Sequence, residues 1–126
     1  MTTKKNIVLK KEGDKSILVD LFYNSSNNKM PVIIFCHGYK GYKDWGAWNL
    51  VAKEFANNNF FFLKFNFSHN GGTTENPIDF PDLNAFGNNN FTHELNDIER
   101  VLSFLSDNTK FSKNIDLKNV FLIGHS

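Results

Sequence analysis

The strongest chemical signal lies at residues 120–126, where an apolar run leads directly into Gly124-His125-Ser126. A short apolar run is typical of a buried parallel strand. A strand followed by Gly-x-Ser is the first half of a nucleophile elbow, G-x-S-x-G, a tight turn that exposes the serine hydroxyl above the sheet. Gly124 leaves room for the close backbone approach in such a turn. The pattern predicts that Ser126 is a nucleophile, while the second glycine and the following helix lie outside this sequence.

Other polar residues could also do chemistry, but each has a simpler structural interpretation. His37 could be a metal ligand or a general base, although a histidine bound to nearby backbone is the better interpretation. His69 lies in a loop, where solvent exposure and pocket lining are about equally favoured. His93 begins a helix and is predicted to face solvent. Asp79 and Asp82 flank a proline in the same loop and are predicted to form turns.

The sequence lacks the residue spacings that bind metals and nucleotides. Its four histidines and single cysteine show neither a His-x-x-Glu-His nor a Cys-x-x-Cys spacing, so no metal site is predicted. No Gly-x-Gly-x-x-Gly follows a strand, so the dinucleotide-binding motif is missing. The P-loop motif, G-x-x-x-x-G-K-[ST], is missing as well. We therefore expect neither a metal nor a cofactor.

Hydrophobic periodicity and turn residues divide the chain into strands and helices. Strands are predicted at 6–11, 16–23, 32–36, 60–67 and from about 119. Helices are predicted at about 44–58 and 91–107. Gly13-Asp14 supply turn chemistry for a hairpin between the first two strands. Strands that alternate with helices predict right-handed crossovers and parallel pairing. The predicted fold class is α/β, a single domain over residues 1–126 with a mostly parallel sheet and an N-terminal β-hairpin.

This order of elements predicts where a site would form. Ligands bind beyond the carboxyl ends of the strands in open α/β sheets. Three irregular, glycine-rich segments follow strands at that edge, namely 37–41, 66–74 and 124–126. The stretch 68–90 is predicted as a loop of more than ~15 residues, a length that is usually functional or mobile.

Both predicted helices carry recognisable signals. Asp44 is a candidate N-cap for the first helix, and the asparagines at 57–59 are a plausible stop because asparagine tolerates the left-handed conformation. The second helix has apolar residues at steps of three and four, which predict one buried stripe formed by Phe91, Leu95, Ile98, Leu102 and Leu105.

Composition excludes several classes of protein. The chain of 126 residues has a net charge of +1, which gives no reason to expect nucleic acid or an anionic membrane as a partner. It has no evident signal peptide and no apolar run near the ~18 residues that a membrane span needs. The one cysteine, Cys36, lies in an apolar strand and fits a reducing compartment. We therefore expect a soluble cytoplasmic protein.

With these motifs in place, the chain resembles the N-terminal half of an α/β-hydrolase. The resemblance is carried by Phe35-Cys36-His37-Gly38-Tyr39-Lys40-Gly41 after one strand and by Leu122-Ile123-Gly124-His125-Ser126 at the end of another. Two helices and one strand separate the motifs, as the family requires, and nearly the whole chain is covered. The closest similarity is to the dienelactone-hydrolase-like and serine-aminopeptidase-like hydrolases.

The resemblance implies roles for individual residues. Ser126 would attack an ester, thioester or amide carbonyl of a small acyl substrate to give an acyl-enzyme. The Tyr39 backbone N–H would be one oxyanion-hole donor, supported by His37 and Gly38. The second donor, the catalytic acid and the catalytic histidine would all follow Ser126. The loop after the fourth strand would line the pocket with Ser68, His69, Asn70 and Gly71.

Two hypotheses from different classes remain open. The first is a serine hydrolase that acts on a small molecule without a cofactor, of which this apparently truncated chain is the first half. The second is a non-catalytic α/β fragment or interaction module derived from a hydrolase, which completes its sheet with another chain. The exposed last strand would favour such pairing, including a homo-oligomer.

Overall fold

The computed structural model describes residues 1–26, 28–107 and 110–126. The elements follow in the order β1 (Thr2–Leu9), β2 (Ile17–Tyr23), β3 (Met30–Cys36), α1 (Trp48–Asn57), β4 (Phe61–Phe65), α2 (Leu83–Gly87), α3 (Phe91–Asp107) and β5 (Ile115–Gly124). The short helix α2 lies within 68–90, which the sequence predicted as a loop. No helix in the described ranges is long and apolar enough to cross a membrane.

The five strands form one mixed sheet in the order β1-β2-β4-β3-β5. β2 pairs antiparallel with β1 and with β4, whereas β3 pairs parallel with β4 and with β5. The expected N-terminal hairpin is present, but the sheet is mixed rather than mostly parallel. The reason is that the hairpin joins the parallel strands through β2, which runs against β4.

The central strands bury both of their faces. Alternate residues of β3 point to opposite sides of the sheet, so Val32 and Ile34 pack on the α3 side while Ile33 and Phe35 pack on the α1 side. Full burial of one such side chain stabilises the fold by about 1.5–3 kcal/mol. The phenylalanines of β4 are buried in the same two cores, as the sequence predicted for its aromatic runs.

Helix α1 begins later than the predicted residue 44. The prediction that Asp44 caps this helix is wrong, because the N-cap is Ala47, which makes no side-chain hydrogen bond there. The Asp44 carboxylate instead accepts hydrogen bonds from Lys43 (2.7 Å) and Lys5 (2.8 Å). After the helix, Asn59 adopts a left-handed φ of 68°, consistent with the predicted stop.

Helix α3 has the predicted bounds but a different buried face. Leu105 of the predicted stripe is buried and Ile98 is partly buried. The remaining stripe residues are exposed, namely Phe91, Leu95 and Leu102. The stripe prediction is therefore only partly correct, and the face that packs on the sheet includes two charged residues.

These two charged residues, Asp97 and Arg100, are buried because the backbone of other segments satisfies them. The Arg100 guanidinium donates to the carbonyl oxygens of Lys15 (2.8 Å) and Leu9 (3.2 Å). Asp97 accepts the backbone N–H of Ser68 (2.8 Å). A buried charge that keeps its hydrogen bonds avoids most of the cost of burial, so these residues displace the apolar stripe from the sheet.

Strand β5 begins before the predicted residue 119 because its first part is irregular. Pro31 pairs with Asp116, but the next residue, Val32, pairs with Val120. The intervening residues of β5 form a bulge, which breaks the periodicity that a strand prediction relies on. Beyond the bulge the pairing is regular to the end of the strand.

Candidate active site

The two sequence motifs meet where β3 and β5 end side by side. Cys36 pairs with Gly124 at the carboxyl ends of these parallel strands. The backbone contact continues for one residue, because the N–H of His125 donates to the carbonyl oxygen of Cys36 (3.1 Å). The loop that begins with His37 and the segment that ends with Ser126 therefore leave the sheet next to each other.

Gly38 lies directly against the end of β5. A Cβ atom at this position would meet the carbonyl oxygen of His125 and would lie 2.9 Å from Cβ of Ser126. Both contacts are too short for van der Waals packing, and the first is with backbone that cannot rotate away. Only glycine permits this approach, so the main chain of the β3–α1 loop comes into contact with the candidate nucleophile.

The backbone at this edge has two left-handed residues and an open donor. Lys40 has a φ of 59° in a tight turn that the N–H of Gly41 closes by donating to the carbonyl oxygen of Gly38 (2.9 Å). Ser126 has a φ of 54°, which is uncommon for a non-glycine residue and typical of strained functional positions. Within the described ranges, no group accepts a hydrogen bond from the Tyr39 N–H.

His37 holds the loop in place and is not available for acid–base chemistry. Its Nε2 accepts the backbone N–H of Phe67 (3.1 Å), and its Nδ1–H donates to the carbonyl oxygen of Gly38 (3.0 Å). Burial lowers the pKa of His37 to about 4, although the hydrogen bond to Gly38 opposes this shift. The ring is neutral at pH 7, and both nitrogens are engaged by backbone.

Among the described residues, no general base contacts the hydroxyl of Ser126. The ring of His125 packs against Trp45 and Trp48, with ring centroids 6.1 and 5.0 Å apart. The hydroxyl of Ser126 has no hydrogen-bond partner in the part of the chain that the structure describes. This edge therefore offers a candidate nucleophile and a candidate oxyanion donor, but a serine without a base is weakly nucleophilic.

A cavity of about 860 Å³ opens at this edge. Its volume lies within the range of small-molecule sites. Ser126, Gly38 and Tyr39 line it together with three aromatic side chains, Phe67, Phe86 and Phe91. The lining also includes polar and charged residues, among them Lys40, Asn70 and Glu94, so it suits a ligand that has both apolar and polar parts.

Of the four loop residues predicted to line the pocket, Asn70 is the one that does so among the described residues. Its Nδ2 group donates to the carbonyl oxygen of Gly41 (3.4 Å), and its Oδ1 accepts the N–H of Gly72 (2.9 Å). Asn70 therefore links the loop after β4 to the loop after β3. Gly71 lies instead against Phe80, which leaves no space for a Cβ atom.

Ser68 and His69, also predicted as lining residues, line a separate cavity of about 250 Å³. The buried carboxylate of Asp97 holds the Ser68 N–H, and the Ser68 Oγ lies 2.7 Å from Nδ1 of His69. The His69 ring stacks on His93, with centroids 4.0 Å apart, although His93 was expected to face solvent. Burial and the neighbouring His93 lower the pKa of His69.

Cys36 and Glu94 also line the cavity, although the sequence predicted neither of them as a site residue. Burial, and to a lesser extent the charge of Glu94, raise the pKa of Cys36 to about 11. The thiol is therefore protonated at neutral pH and a poor nucleophile. These residues meet because the end of β3 lies near the start of α3, a contact without a local sequence signal. No group of three potential metal ligands occurs in residues 1–26, 28–107 and 110–126.

No family model and no curated protein matches the chain. Solved structures do match it. A protein assigned as a dienelactone hydrolase, from Klebsiella pneumoniae, has a TM-score of 0.68 and 12% identity, over 98% of this chain and 49% of that chain. A sugar hydrolase from Lactococcus lactis has a TM-score of 0.64 and 22% identity, over 96% of this chain and 42% of that chain. A lipase/esterase from Lactobacillus plantarum has a TM-score of 0.61 and 12% identity, over 98% of this chain and 45% of that chain.

These similarities establish the fold, in agreement with the resemblance of the motifs. The chain has a partial α/β-hydrolase fold, and it spans about half or less of the length of the structures it matches. One fold hosts many activities, so a similarity of fold does not by itself assign a reaction.

Proposed function

We propose that this chain, which carries a partial α/β-hydrolase fold, is the nucleophile-bearing N-terminal part of a serine hydrolase. Ser126 would attack the ester, thioester or amide carbonyl of a small acyl substrate and form an acyl-enzyme. The observation that carries the proposal is the packing of Gly38 on the left-handed Ser126 at the wall of the 860 Å³ cavity. This arrangement fits the tight turn that a nucleophile elbow requires.

The open backbone N–H of Tyr39 is the proposed oxyanion-hole donor. The attack of Ser126 places a negative charge on the carbonyl oxygen, and a fixed N–H beside it stabilises that charge by about 3 kcal/mol. We propose that the second donor, the acid and the histidine belong to polypeptide that follows Ser126 in the complete gene product. The greater length of the matched structures supports this part of the proposal.

The test is hydrolysis of p-nitrophenyl acetate by the complete gene product. Ser126→Ala should reduce kcat to background, whereas Ser106→Ala, on the exposed face of α3, should leave it unchanged. A fluorophosphonate probe should label the wild-type protein on Ser126 and leave the Ser126→Ala variant unlabelled. Full activity of Ser126→Ala would contradict the proposal.

A second candidate function is a non-catalytic module that completes its sheet with another chain or a second copy. It is favoured by the free edge of β5, where Phe121 and Leu122 are 52% and 56% exposed. This function predicts no hydrolysis and a stable oligomer in analytical ultracentrifugation. A monomeric, active gene product would reject it.

We propose the cytoplasm as the compartment. The supporting observation is that Cys36, the single cysteine, is a free thiol in the structure, and free thiols persist in reducing compartments. Fractionation of the host cell tests this assignment.

A further inference from the structure

A cluster of four charged side chains is buried beneath the loop that leaves β3. Asp20 lies on β2, Lys64 lies on β4, and Lys43 and Asp44 lie between β3 and α1. The side chains of Asp20, Lys43 and Lys64 have no exposed area, and that of Asp44 is 15% exposed. The four residues carry two positive and two negative charges, and the more exposed Lys5 adds a third positive charge 2.8 Å from Asp44.

Each charge of the cluster contacts both opposite charges. The Nζ of Lys64 lies 2.7 Å from Asp20 and 3.3 Å from Asp44. The Nζ of Lys43 lies 3.1 Å from Asp20 and 2.7 Å from Asp44. The Lys64 ammonium group also donates to the carbonyl oxygen of Lys43 (2.8 Å). The last bond ties the main chain of the loop to β4.

Strand β4 and the residues after it hold both ends of this loop. At the start, the Phe67 N–H donates to His37. At the end, the Asn66 Oδ1 accepts the N–H of Lys43 (2.7 Å), next to the bond from Lys64. The candidate oxyanion donor lies between these two anchors, so its position depends on both.

Stability alone does not explain such a cluster. The cost of taking charges out of water offsets most of their attraction, so buried ion networks often add little to stability. They restrict conformation instead, because each charge must keep its partners. We propose that Lys64 and Asp20 are positioning residues, which hold residues 37–44 so that the Tyr39 N–H faces the carbonyl attacked by Ser126. This inference rests on the function proposed above.

Lys64→Met in the complete gene product is the test. Methionine has a similar length but cannot bind Asp20 or the Lys43 carbonyl. Two positive charges, Lys43 and the surface residue Lys5, remain to balance Asp20 and Asp44. Lys53→Met on the exposed face of α1 is the matched control. If Lys64→Met does not fold, the double variant Asp20→Asn/Lys64→Met is used in its place, because it removes one charge of each sign.

We expect kcat to fall at least tenfold with KM changed less than twofold, because an oxyanion donor acts in the transition state. Hydrogen exchange at the Lys43 amide should accelerate at least tenfold. The Lys53→Met control should match wild type in kcat, in KM and in this exchange rate. A folded variant with wild-type exchange, or with faster exchange and wild-type kcat, would overturn the inference. If the wild-type protein hydrolyses no ester, the proposed function has failed, and unchanged exchange in Lys64→Met would separately reject the anchoring of the loop.

Discussion

The two edges of the sheet meet their surroundings in opposite ways. At the β1 edge the pairing with β2 is interrupted between Lys4 and Ile7, where Asn6 has a left-handed φ of 58° and the neighbouring side chains are polar. At the β5 edge the pairing is regular only beyond the bulge, from Val120 to Gly124, and in this part Phe121 and Leu122 are exposed. Charges and bulges protect natural sheet edges from further pairing, so β1 is an edge adapted to water and the end of β5 is not.

The two sides of the sheet therefore differ in the apolar surface that they expose. Phe121 and Leu122 of β5 are exposed, and exposed apolar residues of α3, such as Leu95 and Leu102, add to this surface. The candidate nucleophile follows this same strand. The side of the fold that carries the site is therefore also the side that lacks a cover in the described chain.

The largest effect should come from a charge placed at the β5 edge. If further polypeptide covers this edge in the complete gene product, Leu122→Asp buries an unpaired carboxylate and should lower the free energy of unfolding by about 3 kcal/mol or more. Val8→Asp, at a half-exposed position of β1, should change it by less than about 1 kcal/mol. Urea denaturation measures both variants, and equal effects would remove the distinction between the edges.

A somewhat smaller effect should follow from acid. The pKa of His37 is about 4 in the folded protein and 6.5 in an ordinary environment, so the unfolded chain binds the proton more readily. The contribution of neutral His37 to the free energy of unfolding is complete above about pH 6.5 and is lost as the pH falls towards 4. The total loss is about 3 kcal/mol.

The variant His37→Gln should flatten this part of the stability profile. Residues 1–36 contain no histidine, so the histidine contribution to the acid sensitivity comes from the later part of the chain, which includes His37 at the site. Urea denaturation at several pH values between 4 and 7 gives the slope. An unchanged slope in His37→Gln would assign the effect to another group, such as His69.

The smallest of the three effects compares two glycines. Gly38→Ala forces a Cβ atom onto the backbone of His125 and should cost about 2 kcal/mol. Gly13→Ala, in the β1–β2 turn, meets no neighbouring atom and is strained only by its φ of 82°, which should cost about 1 kcal/mol. Thermal unfolding separates them, and a greater loss at Gly13 would contradict the close contact at Gly38.

Much of the fold could be predicted from local sequence patterns. The buried strands β3 and β4 have continuous apolar runs, and α3 has the predicted bounds. The buried face of α3 could not be predicted, because Asp97 and Arg100 are satisfied by backbone groups from distant segments. Periodicity reports which residues are apolar, and it contains no information about the partners that a charged residue finds.

The candidate site was predictable to a similar extent. The order of strands was enough to bring the His37–Gly41 loop next to Ser126, because parallel strands end at one edge. The loop after β4 was harder, since Asn70 lines the cavity with Ser126 while Ser68 and His69, the two residues before it, do not. The buried carboxylate of Asp97 on α3 holds the Ser68 N–H, and the loop sequence gives no sign of this contact.

The order of strands also has a consequence for the folding pathway. The β1–β2 hairpin is the one pairing in the described sheet that a short turn connects. One edge of β3 pairs with β4, but its other edge must wait for β5, since Ile33 pairs with Phe62 on one side and with Phe121 on the other. Contacts so distant in sequence slow folding, and during synthesis the apolar β3 would emerge from the ribosome long before β5. That interval is when a nascent chain of this topology would be most prone to aggregate.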